Sequence, residues 1–182
     1  FSHSNVRALC DVNRNVPDDV LLRLKENRGL IMLTAVPYFT QKEHYVWLDK
    51  GDTVYYRALK EFPNNKSKVD SVMELWEIDN PMPAVTVSDF ADHFDYVKNL
   101  IGTDYIGIAG DYDGIQFTIK GMEDVSTYPS LLIELARRGW TEEELCKITS
   151  ENFLWVFEEV EKVSAQLKIE TKPSLMNLSG TK

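Results

Sequence analysis

The sequence predicts an α/β fold, and three observations point to that class. Two apolar runs, residues 30–36 and 105–109, have the length and composition of buried strands. Each run follows a segment with helical signals, and strands that alternate with helices form parallel sheets. The second run ends at once in two carboxylates flanked by glycines, within residues 107–115. The carboxyl end of a buried parallel strand is where α/β enzymes place their chemistry.

The composition is that of a globular protein and argues against nucleic acid as a partner. Of the 182 residues 43% are hydrophobic and 27% are charged, and the net charge is −9. No basic stripe offsets this charge, so nucleic-acid binding is not expected. No stretch approaches the roughly 20 apolar residues of a membrane-spanning helix. Cys10 and Cys146 are too few and too far apart to indicate a disulfide framework, and both are expected to be buried thiols.

Turn and capping signals define the first elements. Residues 1–4 have the pattern of a strand end that carries a histidine, His3. Pro17 suits the first position of a helix, and the two aspartates that follow it favour the positive amino end. That helix is predicted to reach about residue 28 and to stop at Gly29. The apolar run that comes next ends at Pro37 and is predicted to be a buried strand.

Residues 38–84 form an aromatic, charge-rich insertion in this alternation. Helices are predicted at about 52–61 and 66–77, followed by an extended linker at 80–83, where two prolines restrict the backbone. So much irregular length inside a compact domain indicates a lid, a binding loop or a subunit contact. The sequence does not decide among these three roles.

Helical signals dominate the second half of the chain. Residues 86–101 begin with a capping box and carry their apolar residues on one face. A proline opens a helix at 129–139, and Thr141 begins a second capping box. A longer amphipathic helix is predicted at 151–166. The residues from about 168 have no periodicity and are expected to form a loosely packed tail.

Residue types alone leave the candidate functional side chains undecided. A lone histidine near a strand, such as His3, is more often structural than a metal ligand. Arg14 lies in a loop above the predicted strand ends, where it could clamp a carboxylate bidentately or be a solvated surface residue. His44, in the insertion, is expected to be exposed. His93 is expected to pack or cap locally on its helix.

Asp111 and Asp113 are the carboxylates that end the second strand. On an extended backbone we expect the two side chains not to point the same way, with one facing the mouth of the site and the other binding neighbouring backbone amides. At least one could serve catalysis, although a turn that needs Asp and Gly would look similar.

Seven short blocks of the sequence together resemble the renal (membrane) dipeptidases and their bacterial relatives. In chain order they are FSHS (1–4), RNVPDD (14–19), ADH (91–93), GDYDG (110–114), YP (128–129), LARRGWT (135–141) and ENFL (151–154). The order and spacing of the blocks make the resemblance specific. It covers most of the chain except the insertion and the tail.

The resemblance implies a (β/α)₈ TIM barrel with two zinc ions at its carboxyl face. In that family the histidine matching His3 is a zinc ligand. The aspartate matching Asp111 binds substrate and handles the proton of the leaving amine, and the arginine matching Arg14 holds the terminal carboxylate of the substrate. The implied reaction is hydrolysis of the peptide bond of dipeptides by a zinc-activated water, with an acid to protonate the amine.

The match to the family pattern is incomplete. The other metal ligands of the family are a His-x-Asp pair, a bridging glutamate and a second histidine, and they lie upstream of the matched part. A single histidine cannot hold two zinc ions, and a (β/α)₈ barrel typically takes about 250 residues. We therefore expect residues 1–182 to be the carboxyl-terminal portion of a barrel with additional C-terminal helices, either part of a longer enzyme or one product of a split or truncated gene. We expect it to be inactive alone, with the missing amino-terminal part as its partner.

Two other functions stay open at this point. A catalytically incomplete barrel remnant that acts as a binding or interaction module would explain the missing ligands. A different barrel hydrolase, acting on cyclic amides or phosphoesters, fits less well because Arg14 would serve a free carboxylate. The resemblance also leans towards an extracytoplasmic enzyme, periplasmic, secreted or membrane-anchored, that forms a homodimer.

Overall fold

The computed structural model describes residues 1–172 and confirms the α/β class. Two parallel strands, β1 (Ile31–Thr34) and β2 (Ile106–Ala109), pair in register along their whole length. Both strands are slightly shorter than the apolar runs that predicted them. The parallel pairing confirms the prediction from the alternation of strands and helices.

A third segment, at the amino end of the chain, extends the sheet along the other side of β1. Phe1 accepts a hydrogen bond from Met32 N–H at 2.9 Å, and Ser4 N–H donates to Met32 O at 3.1 Å. Asn5 continues this ladder with its side chain, because its Nδ2 donates to Thr34 O at 3.0 Å and its Oδ1 accepts from Thr34 N–H at 2.8 Å. The segment therefore runs in the same direction as β1, and the three carboxyl ends meet at one edge.

Eight α-helices accompany the sheet in the described part of the chain. They are α1 (Asp18–Glu26), α2 (Pro37–Thr40), α3 (Lys42–Glu61), α4 (Lys66–Asp79), α5 (Val87–Ile101), α6 (Tyr128–Arg137), α7 (Glu142–Cys146) and α8 (Asn152–Glu170). Short 3₁₀ turns lie at Thr103–Tyr105, Tyr112–Gly114 and Val125–Thr127, and a π turn at Lys147–Glu151 joins α7 to α8. Among residues 1–172, no helix has both the length and the apolar character needed to span a membrane.

The capping and packing predicted for α5 are confirmed. Asp89 Oδ2 accepts from Thr86 N–H at 2.7 Å, and Thr86 Oγ1 accepts from Asp89 N–H at 3.4 Å, which completes the capping box. The predicted apolar face of the helix is buried in the core. There the Phe94 ring centroid lies 5.1 Å from that of Phe90 and 6.3 Å from that of Trp140. This aromatic contact joins α5 to the residues that follow α6.

The insertion is a helical hairpin. The helix predicted at 66–77 and the linker at 80–83 are confirmed, and residues 52–61 are helical as predicted, but the irregular structure expected before residue 52 is wrong. Helix α3 begins at Lys42, well before the predicted start at 52. The Trp47 ring lies 5.3 Å from Trp76 across the hairpin and 5.5 Å from Phe117, in the loop after β2. Gly51 permits the close approach of the two helices, because a Cβ there would lie 3.1 Å from the Trp76 ring. The hairpin therefore supports the loop that follows β2.

The last helix differs from its prediction at its end and on its surface. Helix α8 continues to Glu170, so the tail predicted from 168 is helical at its start, and residues 173–182 lie outside the described part. The predicted apolar stripe is largely exposed, with Phe153 at 47%, Phe157 at 53% and Val160 at 62%.

The two cysteines differ in burial. Cys10 is buried, as predicted, and burial raises its pKa to about 11. Cys146 is exposed at the end of α7, so the prediction of two buried thiols is wrong for this residue.

Candidate active site

The candidate site lies at the carboxyl edge of the sheet, where the amino-terminal segment, β1 and β2 end side by side. Ala35 N–H donates to Ala109 O at 3.1 Å and joins the ends of the two strands. The amino-terminal segment and β2 lead into loops that hold Arg14 and Asp111, and β1 leads into α2, which holds Tyr38. In parallel α/β sheets this edge is the usual position of a ligand site.

Arg14 and His3 are in direct contact. Nη2 of Arg14 lies 2.5 Å from Nε2 of His3, and Nδ1 of His3 lies 2.8 Å from Ser2 Oγ. Because a guanidinium only donates hydrogen bonds, Nε2 accepts and Nδ1 carries the proton that faces the serine hydroxyl. The Arg14 Cζ also lies 5.6 Å from the centroid of the Phe39 ring. The exposed guanidinium is thus supported by a ring on one side and an imidazole on the other.

Asp111 sits at a sharp turn rather than on an extended backbone. Its φ is 58° and its ψ is 18°, a left-handed conformation that aspartate tolerates better than most residues. Gly114 N–H donates to Asp111 O at 2.9 Å and closes the turn, and Asp113 lies within it. The extended backbone expected at these two carboxylates is therefore wrong. The turn leaves Asp111 half-buried at the site and Asp113 exposed.

Only glycine fits at position 110. A Cβ there would lie 2.5 Å from the Tyr128 hydroxyl oxygen and 2.7 Å from the Tyr112 ring. The Tyr112 and Tyr128 ring centroids are 6.0 Å apart, and burial raises the pKa of both phenols. These two tyrosines pack against Gly110, where the Asp111 turn begins. No periodicity in the sequence indicated them.

The charges of Asp111 and Arg14 both act on the phenol of Tyr38. Its pKa is raised by burial first and then by the charge of Asp111, while the charge of Arg14 lowers it. The phenol therefore lies within electrostatic reach of both residues. The described residues include no direct hydrogen bond from the Asp111 side chain to His3 or Arg14. The structure thus brings His3 and Arg14 into contact and places Asp111 at the end of the neighbouring strand, and sequence reasoning missed Tyr38 between the loops.

A buried polar network holds the loop between His3 and Arg14. Nδ2 of Asn15 donates to Cys10 O and to Phe39 O, each at 2.8 Å. His93, which is buried, accepts from Val6 N–H through Nδ1 at 3.1 Å and donates from Nε2 to Thr40 O at 3.0 Å. Burial lowers the pKa of His93 to about 4, so the ring is neutral. The prediction that His93 packs or caps locally on its helix is wrong, because both partners are distant in sequence.

His44 is buried, so the prediction that it is exposed is wrong. Its Nδ1 lies 3.0 Å from Pro83 O, and its ring centroid lies 5.8 Å from those of Trp47 and Phe117. Burial lowers its pKa. His44 is a structural residue that joins the hairpin to the linker after it and to the loop after β2.

The donors within residues 1–172 do not form a metal site by themselves. No group of three or more His, Cys, Asp or Glu side chains in this part of the chain could hold a metal ion. His3 offers one imidazole lone pair, on Nε2, and that atom faces Arg14. A catalytic zinc ion usually takes three protein ligands. A metal ion at this edge would therefore need donors in addition to those described.

A candidate site at the carboxyl edge of a parallel sheet is typical of α/β enzymes. The chain belongs to the membrane dipeptidase family, peptidase family M19, whose model matches residues 1–171. It is similar to dipeptidase 3 of Rattus norvegicus, with 40% identity over 163 residues, which are 90% of this chain and 25% of that protein.

Solved structures share the fold. The chain is similar to the probable dipeptidase PvdM from Pseudomonas aeruginosa, with a TM-score of 0.68, 25% identity, and 88% of this chain and 44% of that one covered. It also resembles a metallopeptidase from Rhodobacter sphaeroides bound to a phosphinate mimic of the dipeptide L-Ala-D-Ala. There the TM-score is 0.61 at 20% identity, and 86% of this chain and 34% of that one are covered. The chain thus spans a quarter of the curated relative's length and less than half of each solved chain.

Proposed function

We propose that the complete protein carrying this chain is a metal-dependent dipeptidase, and that His3, Arg14 and Asp111 contribute to its active site. The observation that carries the proposal is the contact of His3 with Arg14, with Asp111 at the end of β2 on the same edge of the sheet, in a chain of the membrane dipeptidase family. The similarity to dipeptidase 3 of Rattus norvegicus, at 40% identity, supports dipeptides as the substrate class.

The proposed roles follow from the chemistry of the side chains. Arg14 presents exposed N–H donors on a supported guanidinium, which suits a bidentate bond to the terminal carboxylate of a dipeptide. Asp111 is a half-buried carboxylate on a tightly held turn, so it can hold a proton and deliver it to a leaving amine. An amine leaves poorly without such a proton, which makes Asp111 the proposed acid/base residue.

Zinc is the proposed metal, with His3 as one of its ligands through Nε2, so that zinc binding would replace the contact of this atom with Arg14. An imidazole is a common zinc ligand, and zinc supplies the Lewis acid and the activated water of many metallopeptidases. Since the described residues do not complete such a site, the other ligands belong to residues outside this chain. The coverage of relatives and solved structures supports this division of the ligands.

The same coverage also supports the proposal that the chain is the carboxyl-terminal portion of a (β/α)₈ barrel. Dimer formation and an extracytoplasmic location are part of the same proposal.

One observation favours a second function. The absence of a complete metal site among residues 1–172 is also what a catalytically incomplete interaction module would show. The two functions differ in the metal content of the complete protein. A binding module needs no metal, whereas the dipeptidase loses all activity when the metal is removed.

Hydrolysis of dipeptides by the complete protein tests the proposal. Asp111→Asn should lower kcat by a factor of about 10² to 10⁴, because an amide cannot donate the proton that a general acid supplies. Asp113→Asn is the matched control, as its side chain is exposed in the same turn, and it should retain activity. Full activity in the Asp111 variant would exclude the acid/base role, and no hydrolysis by the metal-loaded wild-type protein would favour the interaction module.

A further inference from the structure

The side chain of Asn15 connects the loop that carries Arg14 to the surface against which Arg14 lies. Asn15 is 2% exposed. Its Nδ2 donates to Cys10 O and Phe39 O at 2.8 Å, and its Oδ1 accepts from Asn5 N–H at 3.2 Å. The side-chain amide of Asn15 thus joins two residues of the loop, Asn5 and Cys10, to Phe39, which lies after β1.

Phe39 is tied to Arg14 in two ways. Its ring lies beneath the guanidinium, and its carbonyl accepts from the residue that directly follows Arg14 in the chain. A shift of Asn15 would therefore change the position of Arg14 over the ring. The hydrogen bond from Val6 N–H to His93 fixes the other side of the loop, so the backbone there cannot easily compensate.

We propose that Asn15 is a positioning residue for Arg14 and thereby sets the selectivity for substrates with a free carboxyl end. The inference rests on the proposed function, in which Arg14 binds the terminal carboxylate. Asn15 is buried and does not touch the substrate. Asn15 acts only through the position of the Arg14 guanidinium. Bidentate binding of a carboxylate depends on that position, because the N–H donors of the guanidinium have a fixed planar geometry.

The test compares the hydrolysis of L-Ala-D-Ala with that of its carboxamide by the complete, metal-loaded protein. The ratio of the two kcat/KM values measures selectivity for the free carboxylate. Arg14→Ala should abolish the selectivity. Asn15→Ser should reduce it about tenfold, through a higher KM for the dipeptide acid and little change for the amide, which corresponds to a weakened charge-assisted hydrogen bond.

Asn152→Ser is the matched control. Asn152 is also buried and also donates two hydrogen bonds to carbonyls, those of Thr103 and Ile106 at 2.7 and 2.8 Å. Because these contacts lie at the amino end of β2, away from Arg14, the variant should lose stability as Asn15→Ser does and keep the selectivity of the wild type. A purely structural role of Asn15 would give the same result as this control.

The outcomes separate the inference from the function on which it rests. If Arg14→Ala loses selectivity while Asn15→Ser keeps it, the positioning role is excluded and the role of Arg14 stands. If Arg14→Ala keeps selectivity, both are excluded. If Asn15→Ser does not fold, Phe39→Leu removes the ring and leaves the carbonyl bond to Asn15, and unchanged selectivity in that variant overturns the inference. If the wild type hydrolyses neither compound, calorimetric binding of the acid and the amide gives the same comparison.

Discussion

At His93 burial and hydrogen bonding act on the charge of one ring in opposite directions. Burial disfavours the imidazolium, while the bond to Thr40 O and the nearby charges of Asp92 and Asp89 favour it. Burial dominates, and the pKa falls to about 4. A protonated Nδ1 could not accept from Val6 N–H, so charging the ring would also break that hydrogen bond. The folded state therefore requires a neutral His93.

The stability of the complete protein should consequently depend on pH through His93. Because the pKa is lower in the folded state than the ordinary value of about 6.5, the stabilisation is complete above pH 6.5 and is lost as the pH falls towards 4. The loss should reach roughly 3 kcal/mol. Urea unfolding between pH 4 and 7 measures it, and His93→Gln should flatten the curve. An equally steep curve in that variant would assign the dependence to other groups, such as His44, whose pKa is also lowered.

Single residues were predicted from sequence only where their partners are close in the chain. The resemblance predicted His3, Arg14 and Asp111 as site residues, but not that His3 and Arg14 touch. The position of His44 in a polar insertion predicts exposure, and its neighbours Lys42 and Glu43 are indeed exposed. The ring turns inward to partners at Pro83 and Phe117, which local sequence does not reveal.

Between elements, Arg138 joins α6 to α5. Its Nη1 lies 2.7 Å from Asp92 and 2.8 Å from Asp95, and its Nη2 donates to Ser88 O at 2.8 Å. Glu134 binds its Nε at 2.9 Å. Burial opposes the charge, but these carboxylates raise the pKa of Arg138. One guanidinium thus donates hydrogen bonds to three carboxylates and to a backbone carbonyl in the first turn of α5.

Arg138→Met should destabilise the complete protein by about 2 kcal/mol, because it leaves partly buried carboxylates without their shared donor. Arg137→Met is the matched control. Arg137 is adjacent and exposed, has no ion pair within residues 1–172, and should change stability by less than about 0.5 kcal/mol. Chemical denaturation of both variants checks the difference. Equal effects would show that the network at Arg138 contributes nothing to stability.

Helix boundaries were predictable where caps and periodicity mark them, as at Thr86 and along the apolar face of α5. The start of α3 was not, because Gly51 and the surrounding charges hide the helical pattern. That helix is stabilised by the contacts of Trp47 with Trp76 and Phe117, which are distant in sequence. Tertiary contacts of this kind override local propensity.

For the molecule as a whole, the alternation of strands and helices predicted the parallel sheet, and its carboxyl edge located the site. The geometry of that edge was not predictable, since the left-handed turn at Asp111 depends on the fit of Gly110 against Tyr112 and Tyr128. The described residues bring only one histidine, His3, to this edge with a lone pair suited to a metal. Metal binding is therefore proposed as a property of the complete protein.

Zinc should accordingly act differently on the chain and on the complete protein. The melting temperature of the 182-residue chain should not change with added zinc, because residues 1–172 hold no complete site. The complete protein should lose activity and melt at a lower temperature after chelation, since a ligand that binds the folded state stabilises it. His3→Gln should reduce its zinc content, as measured by native mass spectrometry. Saturable stabilisation of the chain alone would contradict the division of ligands.

The side-chain amide of Asn5 takes the place of a backbone peptide group in the sheet, because it pairs with both backbone groups of Thr34. The amide proton of Thr34 is held by Asn5 Oδ1, so its protection from exchange with solvent is set by a rotamer rather than by a neighbouring strand. The backbone of the amino-terminal segment can therefore leave the sheet while the last residue of β1 stays paired. The chain that follows Asn5 can therefore turn towards Arg14, and the backbone N–H at the end of β1 keeps its hydrogen bond.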